Sequence, residues 1–187
     1  MRRLFDILFS FAGICFFSIP MILIGILIKF NSKGPILFKQ QRVGKDSIYF
    51  EIYKFRSMYI DTPNVSTEAL GNPTNYITPV GKFIRKTSLD ELPQLFNILK
   101  GDMSIIGPRP ALYNQHELIK MREKVGVNRV RPGLTGYAQV MGRDLISDET
   151  KVEYDKFYVE NQSIWFDIKI FWLTVISVVR AEGVKLK

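Results

Sequence analysis

The chain has 187 residues, with 26 Lys and Arg against 18 Asp and Glu for a formal net charge of +8, so one catalytic domain with a membrane appendage fits and a second catalytic domain does not. The excess charge points to anionic partners, namely lipid headgroups, nucleotides or nucleic acid. Cys15 is the only cysteine and His116 the only histidine. That excludes an intrachain disulfide and a thiolate metal cluster, leaves acid-base or metal chemistry to carboxylates, and favours a hard cation such as Mg²⁺ over zinc.

From Ile7 to Ile28 the sequence is apolar over about 22 residues, enough to cross a hydrocarbon core of ~30 Å. Pro20 removes a helix donor and clashes with the preceding turn, so the run is expected to divide at Ile19–Pro20 into arms of roughly 20 Å and 12 Å, neither long enough to span. Ser18 stands where its hydroxyl can bond a carbonyl freed by that break. Arg2, Arg3, Lys29 and Lys33 bracket the run, which favours both ends being cytoplasmic and hence a re-entrant helix-break-helix. A kinked spanning helix satisfies the same residues. A secretory signal fits worse, because no small-residue cleavage site follows Lys29.

Two β-rich runs come next, Ile36 to Val43 and Ile48 to Phe55, joined by Gly44-Lys45-Asp46-Ser47 as a hairpin. Period two along the second strand sets Lys54 and Arg56 on one face, either to hold a phosphate together or as a solvated edge. Asp61 to Thr78 has no periodicity and is expected to be a loop. Helical patterns return at Leu92 to Leu99, at Ala111 to Lys124, at Asp148 to Glu160 with Ser147 as N-cap, and at Ile164 to Val179. In the last of these Trp165 and Trp172 are seven residues apart on one face. An aromatic face at that spacing reads as ordinary core, with a surface-lying amphipathic helix as the alternative.

The acids Asp90 and Glu91 follow Arg85-Lys86-Thr87-Ser88-Leu89. Ser88 to Glu91 matches a capping box, in which Ser88 caps a helix and Glu91 reaches back to its backbone, with no chemistry implied. The chemical reading rests on the neighbours. Pro93 sets a helix start beside the pair, and Gly107-Pro108-Arg109-Pro110 holds an arginine between prolines, reducing the entropy lost when it clamps an anion. A second arginine-bearing turn, Arg129-Val130-Arg131-Pro132-Gly133-Leu134-Thr135-Gly136, precedes Gln139-Val140-Met141-Gly142-Arg143, and such loops suit a nucleotide diphosphate, with glycine allowing close approach and arginine supplying charge. No P-loop and no Gly-x-Gly-x-x-Gly occurs.

In order along the chain, Pro20, Tyr53-Lys54-Phe55-Arg56-Ser57-Met58, Arg85 through Gln94, Leu99-Lys100-Gly101-Asp102-Met103-Ser104, Gly107 to Pro110, Arg131 to Gly136 and Gln139 to Arg143 closely resemble the bacterial sugar transferases, the small monotopic phosphoglycosyl transferases. The resemblance covers nearly the whole length. One departure is that family members often carry Ser-Pro at the membrane break, where this chain has Ile19-Pro20 with Ser18 one residue earlier.

The resemblance implies an α+β fold: a re-entrant membrane hairpin over 1–33, then a compact cytoplasmic catalytic domain over 34–187 with a small β-hairpin, several helices and interfacial amphipathic helices. Larger members carry additional N-terminal segments, so a minimal catalytic unit is implied. It further implies transfer of a sugar-1-phosphate from a UDP-sugar to a polyprenol phosphate, undecaprenyl phosphate, with Mg²⁺ and release of UMP, at the cytoplasmic face of the bacterial inner membrane. Asp90 is the implied nucleophile and Glu91 the implied Mg²⁺ ligand. Arg85, Arg109, Lys54 and Arg56 are the implied phosphate-binding residues, Arg131 and Arg143 the nucleotide-binding ones, and Ser18 and Pro20 mark the membrane break. Flanking arginines are expected to keep Asp90 ionised at neutral pH. Taken without the resemblance, the chain also fits a non-catalytic basic protein that docks on anionic lipid through Arg2, Arg3 and the final helix. Nucleic acid is not an expected partner, since the basic residues sit in Pro-Gly turns.

Overall fold

The structure, a computed structural model, describes residues 2–65, 70–142 and 146–179. Helix α1, Arg2–Asn31, is a single element with Pro20 inside it, so the expected division into two helices at Ile19–Pro20 is not seen. Ser18 Oγ donates to the Cys15 carbonyl at 2.8 Å. The carbonyl that Pro20 leaves without its helical donor is that of Phe16, so the hydroxyl bonds the neighbouring acceptor rather than the expected one. One stripe of α1, including Asp6, Ser10, Ile24, Gly25 and Ile28, is buried. Its outer surface, including Phe9, Phe16, Ile19, Leu23 and Phe30, is exposed and apolar.

Both ends of α1 are tied to the same body. At the start, Arg2 pairs with Asp167 at 3.0 Å, and Arg3 donates to the carbonyls of Ile98 and Leu99. Asp6, buried in an apolar helix, is satisfied by Ser104 Oγ at 2.9 Å and Ile105 N at 3.0 Å. At the far end Arg56 donates to the Ser32 and Lys33 carbonyls, each at 2.7 Å, and to Ser32 Oγ at 2.9 Å.

Strands β1, Leu37–Val43, and β2, Tyr49–Phe55, form the expected antiparallel hairpin, Leu37 opposite Phe55 and Val43 opposite Tyr49. Beyond it, Met58 bridges Ile77, so the described parts of the 61–78 loop close back on the chain that precedes them. Helix α2, Pro79–Lys86, was not anticipated from periodicity, although its start is written locally: Thr78 Oγ1 accepts from Gly81 N at 2.9 Å and Pro79 occupies the first turn. Helix α3, Gln94–Lys100, begins just after Pro93 as expected. Ile24 and Ile28 of α1 pack with Phe55 and Ile84, while Ile14 packs beside Ile52, Leu95, Ile98 and Met103. Each such burial contributes roughly 1.5–3 kcal/mol. The apolar helix therefore shares the core of the body that carries the site.

Strands β3, Ser104–Ile106, and β4, Gly133–Thr135, pair in parallel and draw their following turns together. Helix α4, His116–Lys124, starts later than the expected Ala111 because residues 111 and 112 extend the hairpin instead: Val43 N donates to the Ala111 carbonyl at 3.0 Å, and Arg42 bridges Leu112. A short helix α5, Tyr137–Met141, leads on to α6, Asp148–Glu160, with Ser147 capping Thr150 N at 3.3 Å as expected. Helix α7, Ile164–Val179, buries Ile170 but leaves Trp165 82% and Trp172 59% exposed. The core reading of that tryptophan face is thus corrected: Ile170 and Thr174 face inward, and the indoles stand outside.

Candidate active site

Asp90 and Glu91 sit in a single helical turn, Leu89–Glu91, between α2 and α3. Ser88 precedes them with φ 56°, a left-handed conformation that costs a serine roughly 1–2 kcal/mol. The capping box does not form, because Ser88 makes no side-chain cap bond. Glu91 turns instead to two cations, Oε1 accepting from Lys54 Nζ at 2.6 Å and from Arg109 Nη2 at 2.9 Å. Charge-assisted bonds of this kind outweigh one neutral backbone donor.

The two acids are driven in opposite directions. Burial raises Asp90, only 8% exposed, to a pKa of about 6; Glu91 adds to the rise, and Lys54, Arg85 and Arg109 oppose it. At neutral pH the group is ionised, yet its basicity is above that of a free aspartate, opposite in direction to what flanking arginines alone produce. Burial also opposes the charge on Glu91, but Arg109 and Lys54 outweigh it and hold Glu91 below the usual carboxylate range. Lys54 is itself lowered by burial, with Glu91 opposing. The turn thus offers one more basic carboxylate and one permanently ionised one.

Arg109 is fixed from behind. Gly107 N donates to the Thr135 carbonyl and Gly133 N to the Pro108 carbonyl, both at 2.9 Å. A Cβ at Gly133 would lie 2.1 Å from Gly107 N, and one at Gly136 2.1 Å from the Gly107 carbonyl oxygen. These glycines admit the backbone of the other turn. Arg122, which sequence reasoning missed, donates to the Arg109 carbonyl at 2.7 Å and forms a buried pair with Asp155. Arg42 was also missed; it donates to the Pro110 carbonyl at 3.0 Å and, through a second nitrogen, to Gln40 Oε1 at 2.7 Å. The available signal was period two, which sets the polar Gln40 and Arg42 on one face of β1.

Lys54 and Arg109 therefore meet at Glu91, and Arg85 acts on Asp90 through its charge. Arg56 lies away from the dyad, with its guanidinium held by the 32–33 turn. Arg131 is turned onto the Gly101 carbonyl at 2.9 Å. Arg143 lies outside the described residues. Among the described residues no three carboxylate, imidazole or thiol groups come together. Mg²⁺ commonly takes only one or two carboxylates, its other ligands being substrate phosphates and water. The dyad fits that donor set, since among the described residues both cations bond Glu91 Oε1 and none bonds Oε2. A cavity of about 430 Å³, lined by Tyr59, Thr74, Ile77, Thr78 and Lys82, opens at the start of α2, the helix whose last turn carries Arg85.

Buried Asp90 and half-buried Glu91, with Lys54 and Arg109 bonded to Glu91, thus sit on a body that shares its core with a helix long and apolar enough to cross a bilayer. The chain belongs to the bacterial sugar transferase family, whose model matches residues 1–181. It is 40% identical over 189 residues to a UDP-N-acetylgalactosamine-undecaprenyl-phosphate N-acetylgalactosaminephosphotransferase of Aeromonas hydrophila, covering 98% of this chain and 45% of that one. It is 40% identical over 199 residues to an undecaprenyl-phosphate galactose phosphotransferase of Salmonella typhimurium, covering 98% and 41%. An uncharacterised sugar transferase of Bacillus subtilis, EpsL, is 39% identical over 185 residues, covering 99% and 90%. The chain thus spans less than half the length of the first two relatives and most of the third.

Proposed function

We propose that the protein is a phosphoglycosyl transferase that moves a sugar-1-phosphate from a UDP-sugar to a polyprenol phosphate, undecaprenyl phosphate, through a phosphosugar-aspartate, releasing UMP. The observation that carries this reading is the division of labour within the dyad. Asp90 is buried and raised in basicity, whereas the two cations that hold Glu91 in place stand at the same edge. Two of the three relatives named above, those of Aeromonas hydrophila and Salmonella typhimurium, carry undecaprenyl phosphate in their names, which supports the acceptor class.

A carboxylate oxygen of Asp90 attacks the sugar-bearing phosphorus. The bond from that phosphorus to the bridging oxygen breaks, and UMP leaves with the electron pair. An ionised oxygen of the lipid phosphate then attacks the same phosphorus, expelling the Asp90 carboxylate and leaving a polyprenol diphosphate sugar. The two-step route divides a reaction in which anionic lipid phosphate would otherwise meet an anionic diphosphate directly. Arg109 and Arg85 steady phosphate oxygens, and Lys54 fixes Glu91. Mg²⁺, held by Glu91 with Asp90 beside it, would neutralise the diphosphate and improve UMP as a leaving group.

The membrane reading is a helix seated in one leaflet of the inner membrane, with the body at the cytoplasmic face. Its support is that Arg2 and Arg3 at one end of α1, and Ser32 and Lys33 at the other, are bonded to one polar body. A helix crossing the bilayer would have to carry that body into the hydrocarbon. The exposed Trp165 and Trp172 suit the headgroup zone.

The test is UMP release over a panel of UDP-sugars with undecaprenyl phosphate in detergent or nanodiscs. Turnover of one sugar that depends on both the lipid and Asp90 is expected. Absence of turnover with every sugar, or full activity in Asp90→Asn, contradicts the reading.

A further inference from the structure

Two arginines brace the turn that carries Arg109, and they differ in one respect. Arg122 takes the Arg109 carbonyl at 2.7 Å with its own charge matched by buried Asp155. Arg42 takes the Pro110 carbonyl at 3.0 Å and the neutral side chain of Gln40 at 2.7 Å. Among the described residues it touches no carboxylate, and its buried Nε has no partner. Gln40, 7% exposed, is fixed in turn by donating to Asn64 Oδ1 at 2.7 Å. Burial first and Arg109 second lower the Arg42 pKa to about 9, with Glu91 opposing. Three cations converge on Glu91: Lys54 and Arg109 by contact, Arg42 through its field. Like charges held together in a partly desolvated place are relieved when an anion enters.

We propose that Arg42 is the positioning residue of the diphosphate subsite, bracing the Gly107–Pro110 turn from the β1 side so that Arg109 stays at the Glu91 edge, and leaving that edge a positive charge for a nucleotide diphosphate to neutralise. The assignment rests on the transferase reading and names the part of its substrate that the residue serves. Arg42 does not form bonds with the reacting atoms; it acts through Arg109 and through charge. A neutral side chain removes both contributions. Lysine keeps the charge but lacks the planar fork that reaches Pro110 and Gln40 at once.

The experiment uses the full chain in detergent and measures affinity for UDP, inorganic pyrophosphate and uridine by calorimetry, with KM and kcat for the accepted UDP-sugar. Arg42→Gln is expected to weaken UDP and pyrophosphate by about tenfold or more. Uridine binding stays unchanged, and KM rises more than kcat falls. Arg42→Lys is expected to recover part of the loss, to within roughly threefold of wild type. Lys39→Gln, an exposed cation on the same strand, leaves all three ligands unaffected. Arg42→Gln binding both anions like wild type overturns the assignment, as does Arg42→Lys behaving no better than Arg42→Gln. If neither variant folds, the brace is architectural and the assignment is likewise overturned. Failure of the wild type to bind UDP or pyrophosphate contradicts the transferase reading itself, which distinguishes the two failures.

Discussion

Lys54 Nζ lies 2.6 Å from Glu91 Oε1, joining the end of strand β2 to the helical turn that carries Asp90. Side-chain exposures of 16% and 20% place this pair between a surface ion pair and a fully buried one. Lys54→Met leaves Glu91 with Arg109 and removes a cation that lowers the Asp90 pKa. It is expected to cost about 1–3 kcal/mol in denaturant unfolding. It is also expected to move the acidic limb of the activity profile to higher pH. A variant with unchanged stability and an unmoved pH profile would show that the contact does neither.

For the wild type, kcat/KM for the UDP-sugar is expected to climb with pH through about 6 as Asp90 ionises. The two acids affect stability with opposite signs. Asp90 has a folded pKa above its unfolded value, so its ionisation lowers stability as pH rises from about 4 to about 6, and the loss persists above that. Glu91 has a folded pKa below its unfolded value, so it contributes stability above the unfolded pKa that is lost only as pH falls through the depressed value. Asp90→Asn is therefore expected to stabilise the protein by on the order of 1–3 kcal/mol at pH 7.5, with the gain vanishing below pH of about 4. Unfolding midpoints at the two pH values check this.

How much of this was legible in the sequence depends on the range of the forces involved. The hairpin, α6 and α7 follow from local periodicity and a serine cap, which the fold leaves in place. The capping-box motif at Ser88 was legible but misleading, because Lys54 and Arg109 arrive from 37 and 18 residues away and take Glu91 for themselves. Period two puts Arg42 on a face with Gln40 but, like the spacing around Arg122, does not say what it touches: each acts on the Arg109 turn only once β1 and α4 have folded against it. The tryptophan stripe on α7 could be counted, but periodicity does not say what covers a stripe. Ala111 and Leu112 carried a helical pattern, yet pairing with the hairpin end proved the better use of their backbone groups.

Gly133→Ala and Gly136→Ala test the close contact of the two turns. A Cβ at either position would approach the Gly107 backbone to 2.1 Å. Each is expected to destabilise by about 1–3 kcal/mol or more and to reduce turnover by displacing Arg109. Wild-type stability and activity in both would contradict the packing described.

The exposed indoles of α7 predict membrane affinity without a folding penalty. Trp165→Glu with Trp172→Glu is expected to lower binding to liposomes by tenfold or more, on the order of 1–2 kcal/mol, while unfolding in detergent stays unchanged. Equal liposome binding by the double variant would assign membrane affinity to α1 alone.

The most direct measurement is intact-protein and peptide mass spectrometry after mixing the protein with its accepted UDP-sugar in the absence of lipid acceptor. The account predicts an added sugar-phosphate mass on the wild type, located at Asp90, discharged by undecaprenyl phosphate and absent from Asp90→Asn. An adduct at another residue, or turnover by Asp90→Asn at the wild-type rate, would contradict it.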